Sequence, residues 1–226
     1  MNNRREKILN LVIENHIANA EPVGSKFLVA NTNLNLSEAT VRNELRALEE
    51  EGFLTHPHTS AGRIPTEKGY KHYIKNLNFA KSYISKNDSM ALSNSLEKSG
   101  DHQLALKNMA KTMVDLSDET VIVAFSSVNI YYTGLVNLFN KPEFDGLSFV
   151  TDISEVFDSC EERIDEFFDK VSYEPRCFIG NEHPFGDMLS VLSARFGDDG
   201  LVALLGPKRM DYKYNFGLMK KLLEII

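Results

Sequence analysis

The stretch SEATVRNELRALEEEGFLTHPHTSAGRIPT, residues 37–66, determines the fold of the first part of the chain. Ser37 is a typical N-cap, and Gly52 is typical of the position after a helix C-terminus, so the sequence predicts a helix between them. Two short strands are predicted next, on either side of a turn-rich loop at 57–62. Pro65 fits only the end or the edge of a strand. This order is that of a recognition helix followed by a wing.

The flanking sequence completes a winged helix-turn-helix. Apolar residues recur at helical spacing over residues 4–18, which predicts a first helix. A second, short helix is predicted over residues 25–31, where we expect Phe27 and Leu28 to be buried. Thr66 is predicted to cap a last helix after the wing. We therefore predict a winged-helix DNA-binding domain over residues 1–78.

The rest of the chain mixes strands with helices. Residues 79–100 are rich in Ser, Asn and Lys and are interpreted as a linker and entry helix. Residues 101–226 are predicted to form a mixed domain, which makes the whole chain α+β. A turn over residues 197–200 predicts a late hairpin. The predicted strands are 121–125, 131–139, 176–180, 188–196 and 201–205, and the predicted helices are 102–117, 153–171 and 212–226.

The charge is distributed unevenly along the chain. Of the formal net charge of -7, residues 1–88 carry +2 and residues 89–226 carry -9. A weakly basic first part and an acidic second part indicate two domains with different partners. The chain contains no apolar run long enough to cross a membrane, and its N-terminus lacks the pattern of a signal peptide. We therefore expect a cytoplasmic protein in which Cys160 and Cys177 are reduced thiols.

The predicted recognition helix has two distinct sides. Apolar side chains at positions 41, 45 and 48 should pack inward. On the opposite side Asn can read adenine, Arg can bind guanine or phosphate, and Ala or Thr can touch a thymine methyl group. The candidates near bases are Ala39, Thr40 and Asn43, and the candidates near bases or phosphates are Arg42 and Arg46. The alternative is a solvated polar face, and acidic side chains on the helix (Glu38, Glu49 and Glu50) weaken its electrostatic attraction for DNA.

The predicted wing supplies a second set of DNA contacts. Small hydroxyl residues and Gly allow a backbone to approach phosphates closely, and Arg supplies charge. An ordinary hairpin loop is the alternative, but a loop of this kind directly after a helix-turn-helix favours DNA binding. The candidate residues are His58, Thr59, Ser60 and Arg63, together with Ser25 at the start of the second helix.

Several strings in the chain resemble the HrcA family of bacterial heat-inducible transcription repressors. The resemblance is dense over residues 4–77, moderate over 176–226 and thin between them. The N-terminal strings are AEPVGSKFL, LSEATVRNELRALEEEGFL and HPHTSAGRIPTEKGYKHYI, and the C-terminal strings are CFIGNE and LVALLGPKRMDYKYNFGLMKKLLEII.

The resemblance implies a function and a set of partners. Members of the family are dimeric repressors of the GroE and DnaK chaperone operons that bind an inverted-repeat operator called CIRCE. In this family the GroE chaperonin keeps the repressor competent to bind DNA, and repression lapses in heat shock. The resemblance also implies a GAF-like C-terminal domain for regulation and dimerisation. The family commonly carries a separate dimerising insert in that domain, for which residues 126–175 leave little room.

The sequence favours no catalytic, metal or cofactor site. His56, His58 and His72 lie near one another in the sequence, but no cysteine joins them to complete a zinc ligand set. The chain carries no P-loop and no dinucleotide-binding glycine motif. Two alternatives to an HrcA-like repressor stay open: a regulator whose C-terminal domain senses a small molecule, and a structural interaction module.

Overall fold

A computed structural model of the chain describes residues 1–57, 61–78, 83–97, 100–144 and 146–226. The chain forms two compact units, Met1–Leu77 and Asn78–Ile226. Within the described residues, no helix has the length and apolar character needed to cross a membrane.

The first unit is a three-helix bundle with a small two-stranded wing and a closing helix. Local capping sets its helix starts: the side chains of Asn2, Ser37 and Thr66 accept hydrogen bonds from the backbone N–H groups three residues later. Its elements are α1 (Asn3–Asn19), α2 (Ser25–Asn31), α3 (Glu38–Glu50), β1 (Leu54–Thr55), β2 (Ile64–Pro65) and α4 (Glu67–Lys75).

The core of the first unit lies between α1 and α3. Ile8, Leu9, Val12 and Ile13 of α1 are buried, as are the apolar residues of α3 at positions 41, 45 and 48. One prediction for this unit is wrong: Phe27 is 40% exposed, and Leu28 alone of the predicted pair in α2 is buried. A helix of two turns lying on the bundle surface can bury only a narrow stripe of its side chains.

The wing is an antiparallel pair of strands that is also held to the helix-turn-helix. Leu54 pairs with Pro65 across the two strands. The backbones of Val23 and Arg63 exchange two hydrogen bonds of 2.8 and 2.9 Å. Gly62 lies against this bridge so closely that a Cβ there would come within 2.6–2.8 Å of backbone atoms of residues 22 and 23. Only glycine therefore fits this approach.

The second unit is a five-stranded antiparallel sheet with helices on both faces. The strand order is β4-β3-β7-β6-β5, where β3 is Thr120–Ser126, β4 is Asn129–Thr133, β5 is Arg176–Ile179, β6 is Leu189–Phe196 and β7 is Gly200–Pro207. The helices are α5 (Lys86–Glu97), α6 (His102–Ser117), α7 (Leu135–Phe139), α8 (Leu147–Asp158), α9 (Cys160–Phe168) and α10 (Tyr212–Ile225), with 3-10 turns at Pro142–Phe144 and Gly180–Glu182.

Burial on both faces explains why the central strands β3 and β7 are almost continuously apolar. Ile122 and Val191 belong to one cluster together with Ile164 of α9 and residues of α8. The neighbouring side chains Val121 and Val123 are also fully buried, on the face that α6 and α10 cover. A strand covered on both sides has no solvent-facing row, so polar residues do not alternate with apolar ones.

The predicted α+β fold class, a winged helix-turn-helix followed by a mixed GAF-like domain, is confirmed, but two segments differ from their predictions. The predicted strand 131–139 is a strand only to Thr133; Gly134, with φ of 91°, ends it, and α7 follows. The predicted helix 153–171 is divided into α8 and α9 at Ser159. The range 79–100, expected as a linker and entry helix, contains α5, which packs on α6 and α10.

Candidate nucleic-acid interface

Helix α3 presents one apolar and one polar side, as its sequence predicts. The apolar residues at positions 41, 45 and 48 are buried, whereas Ala39, Arg42, Asn43 and Arg46 are exposed. Thr40 is half-buried and lies at the helix start, where its backbone N–H donates to Ser37 Oγ at 3.2 Å. The exposed side of α3 is thus the one that was predicted to carry base contacts.

Asn43 presents a side-chain amide on the exposed side of α3. Among the described residues its side chain has no hydrogen-bond partner, so both its carbonyl oxygen and its NH₂ group are available. An Asn side chain with both groups available can bond adenine N6 and N7 at once in the major groove. Arg42 and Arg46 lie one residue before it and three residues after it on the same helix.

Both exposed arginines of α3 are held in ion pairs within the helix. Arg42 Nη2 donates to Glu38 Oε1 at 2.6 Å, and Arg46 Nε donates to Glu50 Oε1 at 3.0 Å. The two arginine side chains remain 71% and 76% exposed. Each bond uses one of the three guanidinium nitrogens, so both side chains keep donors for a phosphate or a base.

Arg63 differs from the arginines of α3 because it is largely covered. Its side chain is 24% exposed, and its Nη2 lies 2.7 Å from Glu49 Oε2. Glu49 also contacts the His56 ring through Nδ1. Burial alone would raise the pKa of Glu49, but the hydrogen bond with His56 and the charge of Arg63 outweigh it, so that its pKa is lowered. This three-residue contact attaches the wing to the end of α3.

The other predicted wing contacts, His58, Thr59 and Ser60, lie outside the described residues. Ser25 is half-buried, and its hydroxyl donates to Glu38 Oε1 at 3.3 Å. It lines a groove of about 440 Å³ between the start of α2, the start of α3 and the wing. Ser25, Arg42 and Arg63 all line this groove. Three of the predicted DNA contacts are therefore brought together there.

Two features of this region were not predicted. Lys26, exposed at the start of α2, also lines the groove; its position directly after the EPVGS string could have indicated this. Glu44, within α3, is buried and accepts hydrogen bonds from Arg4 Nε at 2.8 Å and from Arg5 Nε at 2.9 Å. The bond from Arg5 is the main reason that the pKa of Glu44 is lowered. Arg4 and Arg5 thus tie α1 to α3.

With this geometry in view, comparison with known proteins identifies the family. A family model described as "HrcA protein C terminal domain" matches residues 71–214, more than half of the chain. The chain belongs to the HrcA family. A second model, described as "Ribonuclease R winged-helix domain", matches residues 6–72. Together the two matches show a winged helix followed by an HrcA C-terminal domain.

Individual HrcA relatives match part of the chain. The heat-inducible transcription repressor HrcA of Frankia casuarinae is 38% identical over 129 residues, which are 57% of this chain and 38% of the relative. The protein of the same name from Mycolicibacterium smegmatis is 37% identical over 126 residues, 56% of this chain and 36% of the relative. The aligned part of this HrcA-family chain therefore spans less than two fifths of the length of these curated relatives.

One solved structure shares the fold over the whole length. A crystal structure described as that of a hypothetical protein has a TM-score of 0.81, with 19% sequence identity. The match covers 99% of this chain and 97% of the solved one. The fold of this HrcA-family chain therefore also occurs in an experimental structure.

Proposed function

We propose that this HrcA-family protein is a DNA-binding repressor of heat-shock genes that binds an inverted-repeat operator. The observation that carries the proposal is the exposed side of α3, on which Asn43 has no partner among the described residues and Arg42 and Arg46 keep free donors. The name of the relatives, heat-inducible transcription repressor, supports the biological role. In this proposal the protein acts in the cytoplasm, without enzyme activity and without a cofactor.

We assign the proposed DNA contacts from the exposure and position of the candidate side chains. Asn43, Ala39 and Thr40 would lie near base edges, since the first turns of a recognition helix usually enter the major groove. Arg42 and Arg46 would contact bases or phosphates, and Ser25 would contact the backbone from the groove beside α2. Arg63, His58, Thr59 and Ser60 would contribute the wing contacts.

The proposed division of the chain assigns DNA contact to residues 1–78 and the connection to 79–100. Residues 101–226 would serve regulation and pairing. An inverted repeat mirrors a two-fold protein, so we propose a homodimer with one winged helix on each half-site. A GroE-type chaperonin is the proposed regulatory partner. Analytical ultracentrifugation with and without operator DNA tests the dimer, and titration of chaperonin into the binding assay tests the partner.

Fluorescence anisotropy with two duplexes tests the base-reading role of Asn43. One duplex carries an inverted-repeat operator and the other a scrambled sequence of equal length and composition. Asn43→Ala should weaken operator binding by about 1–3 kcal/mol because a bidentate base contact is lost, and should leave scrambled DNA unaffected. Equal losses on both duplexes would contradict base reading.

Arg46→Ala tests the phosphate role on the same helix. It should weaken binding to the operator and make the slope of log K against log salt for the operator shallower by about 0.9. Lys111→Ala, an exposed position on α6 in the other unit, removes the same charge and serves as the control. Arg63→Ala is less informative, because it also breaks the contact with Glu49 that attaches the wing. An Arg46 variant indistinguishable from the Lys111 variant would argue against the contact.

A small-molecule sensor is a second candidate, favoured by a cavity in the second unit. The cavity has a volume of about 300 Å³ beside α8, with apolar side chains on its walls: Phe149, Ile153, Val156, Phe185 and Leu189. This volume lies at the lower end of the range for ligand pockets. A thermal-shift screen of metabolites separates the two candidates, since a sensor gains stability from its ligand. A screen without hits, on protein that already binds its operator, would reject this candidate.

A further inference from the structure

The acidic residues on the recognition helix are placed against its arginines. Glu38 pairs with Arg42 and Glu50 pairs with Arg46, so each exposed arginine of α3 has a carboxylate four residues away. The two exposed arginines of the helix proposed to meet DNA are therefore both held in ion pairs.

Helix stability explains only one of these two glutamates. Glu38 lies in the first turn of α3 and precedes its arginine, and both features favour a helix. Glu50 lies in the last turn, where a negative charge opposes the helix dipole, and follows its arginine, which is the weaker orientation. Exposed pairs of this kind contribute only about 0.3–0.5 kcal/mol to stability. Glu50 thus calls for another explanation.

The first unit carries almost no excess of positive charge. Residues 1–77 contain ten Lys and Arg against nine Asp and Glu. Arg4 and Arg5 are engaged with Glu44 between α1 and α3, and Arg63 is engaged with Glu49. The remaining cations are Arg42, Arg46 and five lysines, so whether the two arginines are restrained or free changes the attraction of this unit for a phosphate backbone.

We infer that Glu38 and Glu50 are positioning residues that set DNA specificity by holding Arg42 and Arg46 in place on α3. The inference rests on the proposed function. An arginine held by one nitrogen keeps its other donors in a defined position, where a cognate site can meet them. On non-cognate DNA the same arginine must leave its carboxylate to reach whichever phosphate is near. The carboxylate left behind then lies close to the backbone and repels it.

The consequence differs between cognate and non-cognate DNA. Non-specific binding is almost entirely electrostatic, so it loses most from restrained arginines and nearby carboxylates. Specific binding also includes base contacts, to which the positioning of the arginines contributes. The glutamates should therefore lower non-specific affinity more than operator affinity and so raise the ratio between them.

The test is the double substitution Glu38→Gln with Glu50→Gln. Glutamine keeps the length of the side chain and an Oε1 acceptor for Ser25, but it removes the charge. The control is Glu67→Gln on α4, which removes one charge, half of what the double variant removes, from an (i, i+4) pair with Lys71 away from α3. Glu49 is left unchanged because it also contacts His56 and Arg63. Urea unfolding checks that all variants are folded.

Affinities for operator and scrambled duplex are measured over a series of salt concentrations. The double variant should bind scrambled DNA about threefold to tenfold more tightly at low salt, because two carboxylates no longer oppose the backbone. For scrambled DNA, the slope of log K against log salt should steepen by up to about 0.9 for each arginine that is released from its glutamate. The ratio of operator to scrambled affinity should fall at least about twofold to threefold below that of the Glu67 control.

The outcomes separate this inference from the proposed function. If the wild-type chain prefers the operator but the double variant keeps the ratio and the slope of the Glu67 control, the inference is overturned and the repressor function stands. If the wild-type chain binds neither duplex, the proposed function fails and the inference falls with it. Substitution of Glu38 and Glu50 by Asp, which retains the charge, should restore part of the wild-type ratio; no recovery would count against positioning by charge.

Discussion

A buried carboxyl group in the second unit leads to a quantitative prediction about pH and stability. Glu119, immediately before β3, is 3% exposed, and within the described residues its Oε2 has no hydrogen-bond partner. It packs against Gly206, where any Cβ would overlap the carboxyl group. Lys141 Nζ lies 3.7 Å from this oxygen but only 2.8 Å from Oδ2 of Asp118.

These contacts decide the protonation state of Glu119. Burial raises its pKa to about 8, while the charges of Lys141 and Arg209 oppose the rise. Lys141 does not cancel the effect of burial, because its charge is shared with Asp118, whose own negative charge raises the pKa of Glu119 further. At pH 6 the group is thus protonated in the folded chain and ionised in the unfolded chain.

The sign and size of the effect follow from linkage. Because the folded pKa lies above the unfolded value, the contribution of Glu119 is fully present below the unfolded pKa and is lost as the pH rises through the folded pKa. Between these values the free energy of unfolding falls by about 1.4 kcal/mol per pH unit. From the ordinary value of 4.5 to about 8, the loss amounts to at most about 5 kcal/mol.

Glu119→Gln removes this titration while keeping nearly the same shape. We expect urea unfolding to give similar free energies for variant and wild type near about pH 5, and a variant more stable by about 3–5 kcal/mol near about pH 8.5. The difference between the free energies of unfolding of the two proteins cancels the contributions of the other titrating groups. Glu174→Gln, at an exposed position in the same unit, should leave the wild-type profile unchanged. Parallel profiles for Glu119→Gln and wild type would refute the reasoning.

Two predictions concern the first unit. Glu44→Gln should lower the free energy of unfolding by about 2–3 kcal/mol in a urea titration, because it breaks a buried pair whose partners can partly return to water; an unchanged midpoint would contradict this. Gly62→Ala should destabilise the chain by about 1–3 kcal/mol and weaken operator binding, because its Cβ would collide with the backbone bridge at Val23. Gly24→Ala is the control, since a Cβ there meets nothing within 4 Å; equal effects of the two substitutions would reject the steric explanation.

Elements with strong local signals were predictable. Ser37 and Thr66 cap α3 and α4 through hydrogen bonds to residues three positions ahead, which any short window of sequence contains. The turn 197–200 joins β6 and β7, as the glycines at its two ends indicate. The polar side of α3 follows from helical periodicity in the same way. These features depend only on near neighbours in the chain.

Other elements were not predictable, because the deciding contacts lie outside the local window. The apolar run through residues 131–139 fits either a buried strand or a buried helix by periodicity. The structure ends the strand at Gly134, whose carbonyl accepts a hydrogen bond from Thr120 Oγ1 at 3.1 Å. Phe27 has helical spacing suited to burial, but in the two-turn helix α2 it is 40% exposed, whereas Leu28 is buried.

The same distinction applies to the candidate site. The sequence by itself determined the order of the winged-helix elements, the exposed side of α3 and the spacing that pairs Glu38 with Arg42 and Arg46 with Glu50, because each depends on residues within one or two helical turns. Only the tertiary structure decided that Arg63 is turned to Glu49, that Glu44 joins α1 to α3, and that Glu119 is enclosed against Gly206. The partners of these three residues come from separate segments, so these contacts exist only once those segments are packed together.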